Sequence, residues 1–264
     1  MNDRHEQAVS AFQQLLDIME QLRSGCPWDK AQTNDTLRHL TIEETYELSD
    51  AILNRDQKAI ANELGDLMLH IVFYAKLGQE SGAFDIADVL KGINQKLVNR
   101  HPHIFGDTKV SGAREVADNW EKIKLQKEGK KSVLAGVPQS LPPLVKAYRM
   151  QEKARGVGFD WEHDHQVWDK VQEEMNELMA EAESGADPSR LESEFGDLLF
   201  ALVNYARFIH VNPEDALEKT NRKFRKRFMY LEEQAAARGL SLHNMSLAEM
   251  DVFWEEAKQM ENKA

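Results

Sequence analysis

The sequence has almost no cysteine: one, Cys26, in 264 residues. It permits no internal disulfide and fits a reducing compartment; with no companion cysteine and no evident base, its expected role is packing rather than nucleophilic attack. Long apolar runs are missing too. None is long enough to span a bilayer, and the start, Met1-Asn2-Asp3-Arg4-His5-Glu6, lacks the apolar core of a signal peptide, so no membrane association and a cytoplasmic location are expected. Basic charge is short, with 33 Lys and Arg against 45 Asp and Glu and a formal net charge of −12. That balance argues against a general binder of nucleic-acid polymers or anionic membranes, while a small polyanion held through a metal stays possible. Strand alternation is absent. Helix signals dominate, among them Ser246-Leu247-Ala248-Glu249, which reads as a capping box before a last helix.

What the chain has in excess is acid, and the acid repeats. Glu43-Glu44-Thr45-Tyr46-Glu47 followed by Glu63-Leu64-Gly65-Asp66 recurs as Glu173-Glu174-Met175-Asn176-Glu177 followed by Glu194-Phe195-Gly196-Asp197. Ahead of each acidic pair, Gly25-Cys26-Pro27-Trp28-Asp29 matches Gly156-Val157-Gly158-Phe159-Asp160. Behind it, Lys96-Leu97-Val98-Asn99-Arg100 echoes Lys223-Phe224-Arg225-Lys226-Arg227, and Asn119-Trp120-Glu121-Lys122 echoes Phe253-Trp254-Glu255-Glu256. One unit thus reads as a turn, two acidic helices, a basic helix and a tryptophan helix. The length suits two domains, and the stretch from Glu128 to Pro143, where charge, Gly and Pro interrupt the helices, marks their boundary. The expectation is an all-α chain of two tandem, duplicated four-helix-bundle-like domains, residues 1–129 and 130–264. Apolar faces left over on such small bundles pair between units or subunits.

Residues three apart share a helix face, so Glu44 and Glu47 project together, as do Glu63 and Asp66 from the next helix. Two like charges at about 4 Å repel by roughly 4 kcal/mol at an effective dielectric near 20, so four such carboxylates need protons or cations to persist. An E-E-x-x-E pattern standing alone reads as a solvated face. The neighbours favour an inward reading. Leu37, Leu40, Leu48 and Ala51 form an apolar stripe beside Glu44 and Glu47, and Leu64, Leu67, Met68, Leu69, Ile71, Val72 and Phe73 leave the second helix almost no polar face. Gly65 and Gly196 each cost about 1 kcal/mol relative to Ala inside a helix, which predicts close approach by a neighbour or ligand. Hard oxygen donors in this number select Mg²⁺, which often brings a phosphate substrate with it.

The basic helices offer the complement. Lys223 and Arg227 share a face, as do Lys96 and Arg100; each pair is either a phosphate clamp or a solvated helix surface. Trp254 and Trp120 either stack on a base or pack in a core. His101 and His103 around Pro102 read as a helix stop with surface imidazoles or as metal ligands.

These residues resemble the MazG family of nucleoside triphosphate pyrophosphohydrolases in its two-domain form, and the likeness covers essentially the whole chain. It is carried by both copies of the E-E-x-x-E and E-x-x-D pair, the K-x-x-x-R helices and the closing tryptophan. The all-α dUTP pyrophosphatases and phosphoribosyl-ATP pyrophosphatases share the plan. The resemblance implies Mg²⁺-dependent hydrolysis of a nucleoside triphosphate, ATP included, to monophosphate and pyrophosphate by a homodimer, with cleavage between the α and β phosphates. It assigns Glu174, Glu177, Glu194 and Asp197 to metal and catalysis, and Lys223 and Arg227 to the triphosphate, with Glu44, Glu47, Glu63 and Asp66 as first-half counterparts. It suggests removal of aberrant or surplus nucleotides as the purpose. Carboxylate-bound Mg²⁺ supplies charge neutralisation and an acidified water, and Glu173 or Glu43 is spaced to orient that water, unless it is simply an exposed helical acid.

The halves differ in one respect. Lys170 stands one turn before Glu174 and Arg190 one turn before Glu194, where the first half has Leu40 and Ala59. Read as substrate-facing cations, they make the second half the main active site; read as i,i+4 pairs, they add at most about 0.5 kcal/mol each. His70, four after Asp66, has Ala201 as its counterpart, which suits a weaker or structural first site. A ferritin-like di-iron protein is disfavoured, because neither acidic helix has a Glu-x-x-His pair. A nucleotide-binding regulatory scaffold without turnover is the remaining rival.

Overall fold

The computed structural model describes residues 2–112, 115–116, 132–185 and 187–261, which form helices and turns with no strand. Trp120 and its neighbours lie outside the described residues, as does the 129/130 boundary. The chain divides into two compact units, Met1–Val110 and Ser111–Ala264.

Proline marks where helices begin. Of seven prolines, Pro27, Pro102, Pro143, Pro188 and Pro213 each stand in the first turn of a helix, where a missing N–H costs nothing. The first unit holds α1 (Asn2–Gly25), α2 (Pro27–Ala31), α3 (Asn34–Leu53), α4 (Gln57–Glu80), α5 (Ile86–Arg100) and α6 (Pro102–Phe105). Thr33 caps α3 through a reciprocal bond with Thr36, and the Asp56 carboxylate accepts from the backbone of Lys58 and Ala59 to start α4. Met19, Leu37, Val72 and Phe73 join α1, α3 and α4 in one core. Arg23 fastens α1 to the end of α4 through Glu80, at 2.9 and 2.5 Å, with its guanidinium over the Phe73 ring.

The second unit holds α7 (Pro143–Arg155), α8 (Asp164–Ser184), α9 (Pro188–Phe208), α10 (Pro213–Ala237) and α11 (Leu247–Glu261). Gly185, at φ 67, ends α8 in the left-handed conformation and sends the chain back along it as α9. Val171, Leu198 and Ala201 fill the α8–α9 seam, and Leu231, Ala235 and Phe253 the α10–α11 seam. The expected capping box forms at α11: Ser246 N donates to Glu249 Oε2 at 2.8 Å and Glu249 N to Ser246 Oγ at 3.3 Å.

One expectation is corrected and one is narrowed. The second acidic helix of each unit is not buried all round: Leu64, Met68 and Ile71 on α4, and Phe195, Leu199 and Leu202 on α9, are exposed, because the helices packed on α4 and α9 leave one face of each uncovered. Of the two alternatives at Gly65 and Gly196, a protein neighbour and a ligand, the first is not found among the described residues, since a Cβ at either would meet nothing within 4 Å.

Candidate active site

The two acidic helices of each unit form an antiparallel hairpin, and its register decides which side chains meet. Carboxylate oxygens of Glu174, Glu194 and Asp197 lie within 4.8 Å of one another, and those of Glu44, Glu63 and Asp66 do the same in the first unit. Glu174 is buried, Glu194 half-buried and Asp197 exposed, so the cluster opens at one end to solvent. Glu177 and Glu47 stand at the outer edge and are exposed. Partial loss of hydration beside the cluster, followed by repulsion from Glu174, Glu173 and Glu194, raises the pKa of Glu177 although its side chain reaches solvent. In the first unit burial raises Glu44, seconded by Asp66 and Glu47, and it raises Glu63, which shares a hydrogen bond with Glu47. Glu44, Glu63 and Glu177 therefore hold protons more tightly than free carboxyls, the condition that a bound cation relieves.

Of the two extra cations of the second half, one reaches the acids. Lys170 Nζ bonds Glu174 Oε1 at 2.7 Å and Glu173 Oε1 at 2.9 Å, and these bonds, Glu174 first, raise its pKa. Arg190 pairs instead with Glu181, one helical turn beyond Glu177. The hairpin explains this: Glu174 faces Asp197, Glu177 faces Glu194, and the next step toward the Gly185 turn brings Glu181 to Arg190. On α10, Lys223 is exposed, whereas Arg227 is held by Glu261 of α11 at 2.6 and 2.9 Å and lies 5.7 Å from the Trp254 ring centre. Trp254 is half-buried against Phe224, at 5.2 Å between ring centres. Among the described residues neither Lys223 nor Arg227 pairs with the acids of α8 and α9. Lys96 is exposed on α5.

A feature not read from the sequence lies behind the second acid set. A cavity of about 610 Å³ is walled on one side by Lys170, Glu174 and Asp197 and on the other by Met150, Gln151 and Ala154 of α7, the turn Gly158–Trp161, and Phe200, Ala201, Asn204 and Arg207 of α9. Gly158, at φ +88, makes that turn, and Phe159 beyond it is 82% exposed. Asp160 pins the turn to α9 by a two-point ion pair with Arg207, one arm at 3.0 Å, and Arg207 also donates to Asn204 Oδ1 at 2.8 and 3.2 Å.

The duplication shows why the space exists. Counting from the shared turn and from the E-x-G-D motif, Ala154, Ala201 and Asn204 correspond to Arg23, His70 and Phe73. In the first unit those three side chains fill the volume. Phe73 is 3% exposed, Arg23 packs over it, and His70, 8% exposed, bonds Thr41 at 2.7 Å. Burial lowers the His70 pKa, against the opposing pull of Asp66. Laying the two copies side by side over the helices before and after the acids would have exposed this difference in volume.

Comparison with known proteins bears on these motifs. The MazG nucleotide pyrophosphohydrolase domain matches residues 32–105 and again 163–230, spanning both acidic hairpins. The nucleoside triphosphate pyrophosphohydrolase of Escherichia coli (strain K12) is 44% identical over 260 residues, covering 96% of this chain and 99% of that protein. The nucleoside triphosphate pyrophosphohydrolase/pyrophosphatase MazG of Thermotoga maritima is 44% identical over 257 residues, covering 96% and 98%. An uncharacterized Bacillus subtilis protein, YabN, is 47% identical over 257 residues, which are 96% of this chain and 53% of YabN.

Proposed function

The chain belongs to the MazG nucleotide pyrophosphohydrolase family, and from that premise we propose that it hydrolyses nucleoside triphosphates to the monophosphate and pyrophosphate at its second acid set, with Mg²⁺. The observation that carries this reading is adjacency: the carboxylates of Glu174 and Asp197 edge the same cavity whose far wall is aromatic and amide-bearing. A polyphosphate and a flat heterocycle can therefore be served at one place.

The clustered carboxylate oxygens are a hard donor set of the kind Mg²⁺ takes, with Glu174, Glu194 and Asp197 as ligands and Glu177 beside them. When bound, Mg²⁺ supplies neutralisation of phosphate oxygens and a lowered pKa for an attacking water. Lys170 adds a cation at the edge of the cluster, and Glu173, exposed and bonded to Lys170, orients or deprotonates the water. Lys223 and Arg227 bind the outer phosphates, Arg227 exchanging Glu261 for substrate, and the bond broken joins the α and β phosphates. Arg190 acts only through Glu181. The base enters the cavity against Phe159 and Trp161, which leaves Trp254 to pack against Phe224 and Arg227. The first acid set, its equivalent volume filled, is a weaker or structural site. We assign the enzyme to a homodimer joined through the uncovered faces of α4 and α9, acting in the cytoplasm on aberrant or surplus nucleotides.

Incubating the full chain with ATP, other nucleoside triphosphates and Mg²⁺ tests this, with nucleoside monophosphate and pyrophosphate as the expected products. Binding without turnover would favour the regulatory scaffold, and release of orthophosphate alone would contradict the position of cleavage.

A further inference from the structure

Among the described residues, two buried side-chain oxygens lack a hydrogen-bond partner, Gln151 Oε1 and Glu181 Oε2. Glu181 is already engaged by Arg190 through its other oxygen. Gln151 is the informative one, because it lines the cavity beside the acids and is itself 8% exposed. Its Nε2 donates to the backbone carbonyl of Phe200 at 2.9 Å. A carbonyl can only accept, so this bond fixes the amide with its nitrogen toward α9 and its oxygen as the end awaiting a donor.

The first unit shows that the vacancy is not a requirement of the packing. Glu20 holds the position equivalent to Gln151 and is paired with Lys76. Arg207 stands at the Lys76 position, but Asp160 and Asn204 occupy its guanidinium. Gln151 has therefore lost the partner that its counterpart keeps, and its acceptor is left over in a wall of the cavity. A buried polar group without a protein partner needs a partner from outside the chain, and at a cavity wall that place is open to a ligand.

We propose that Gln151 is a specificity-determining residue that reads the nucleobase, its Oε1 accepting an N–H from the edge of a base seated in the cavity. The substrate class is thus the nucleoside triphosphates whose bases carry an N–H, exocyclic amino or ring imide. Bases of the same shape without one leave the acceptor unpaired and are rejected. The inference rests on the cavity being the base subsite of the hydrolase proposed above.

The test uses the full chain with Mg²⁺ and compares kcat/KM in two pairs: ATP against purine riboside triphosphate, and CTP against pyrimidin-2-one riboside triphosphate. Neither analogue base carries an N–H. Wild type should favour the N–H-bearing member of at least one pair by about tenfold or more, and Gln151→Met should bring that ratio toward one. Ratios within about twofold in both pairs for wild type would overturn the proposal, even if the variant does not fold. A preference kept intact in Gln151→Met would overturn the assignment to Gln151. Absence of turnover with every triphosphate would instead overturn the hydrolytic reading; equilibrium binding of ATP against the purine analogue then decides the subsite, with the same preference expected.

Discussion

Asn204 stands seven residues after Asp197 as Phe73 stands seven after Asp66, and where Phe73 is packed into a core, Asn204 lines an open cavity. This substitution between copies, one of the three at the cavity, thus helps change a wall from filled to accessible while the acids seven and ten residues earlier stay in register. Asn204→Phe should rebuild the first unit's solution in the second. The expected outcome is a KM for ATP raised by tenfold or more with helicity retained, measured by steady-state pyrophosphate release and circular dichroism. An unchanged KM would mean that the base binds elsewhere.

The acids themselves make a different prediction. Glu174→Ala or Asp197→Ala removes a carboxylate from the cluster and relieves repulsion, so the fold should persist while hydrolysis is abolished. Retained helicity by circular dichroism with no pyrophosphate release is the expected pair of observations. Unchanged turnover in either variant would remove these residues from the chemistry.

Much of this was legible because helical spacing is rigid. Once E-E-x-x-E and E-x-G-D lie on successive antiparallel helices, Glu174 must approach Asp197, and the repeat gives the same answer twice. Helix starts were legible from Ser246 and Glu249 for the same local reason. The partner of Arg190 was not legible, because spacing within one helix says nothing about what stands across the hairpin, where Glu181 lies. The cavity was invisible to motif reading, since it depends on what Ala154, Ala201 and Asn204 lack in volume rather than on any reactive group they carry. Exposure of Leu64 and Met68 was missed because an apolar helix looks the same in sequence whether its last face is covered or not.

Titration and metal should be linked. The pKa of Glu177 is raised in the folded chain above the ordinary carboxyl value, by partial loss of hydration first and then by Glu174. A carboxyl with a raised folded-state pKa binds its proton more tightly in the folded than in the unfolded chain, so its contribution to stability falls as pH rises through that window. In metal-free protein Glu177→Gln should therefore raise Tm at pH 7 and leave it nearly unchanged near pH 4. Mg²⁺ should raise the wild-type Tm at pH 7 and raise that of the variant less. Thermal melts with EDTA and with Mg²⁺ check both, and the comparison with wild type cancels carboxylates such as Glu80, whose pKa Arg23 lowers.

Lys170 is the cation that the second half adds where the first has Leu40. Its side chain is 37% exposed, so solvent screens its bonds to Glu174 and Glu173, and Lys170→Leu should cost the metal-free protein about 1 kcal/mol. The larger effect is expected in hydrolysis, because the buried Glu174 loses its counter-charge and the substrate loses a cation. A tenfold or greater fall in kcat/KM with a Tm drop of only a few degrees is the expected pattern. Equal kinetics would reduce Lys170 to a helix-surface pair.

The two halves can be ranked in one intact chain by comparing Glu44→Ala with Glu174→Ala. Both remove the carboxylate that the first acidic helix gives to a three-acid cluster, so the change in charge is the same. What differs is the surroundings: the second set borders a cavity and Lys170, whereas the volume behind the first is taken by Arg23, His70 and Phe73. A triphosphate brings about four negative charges and a base, and among the described residues the second set is the one with a cation in contact and a cavity for the ring. Glu174→Ala should therefore eliminate ATP hydrolysis, while Glu44→Ala leaves at least half of it. A first-half substitution that proves the more damaging of the two would reverse the choice of active half.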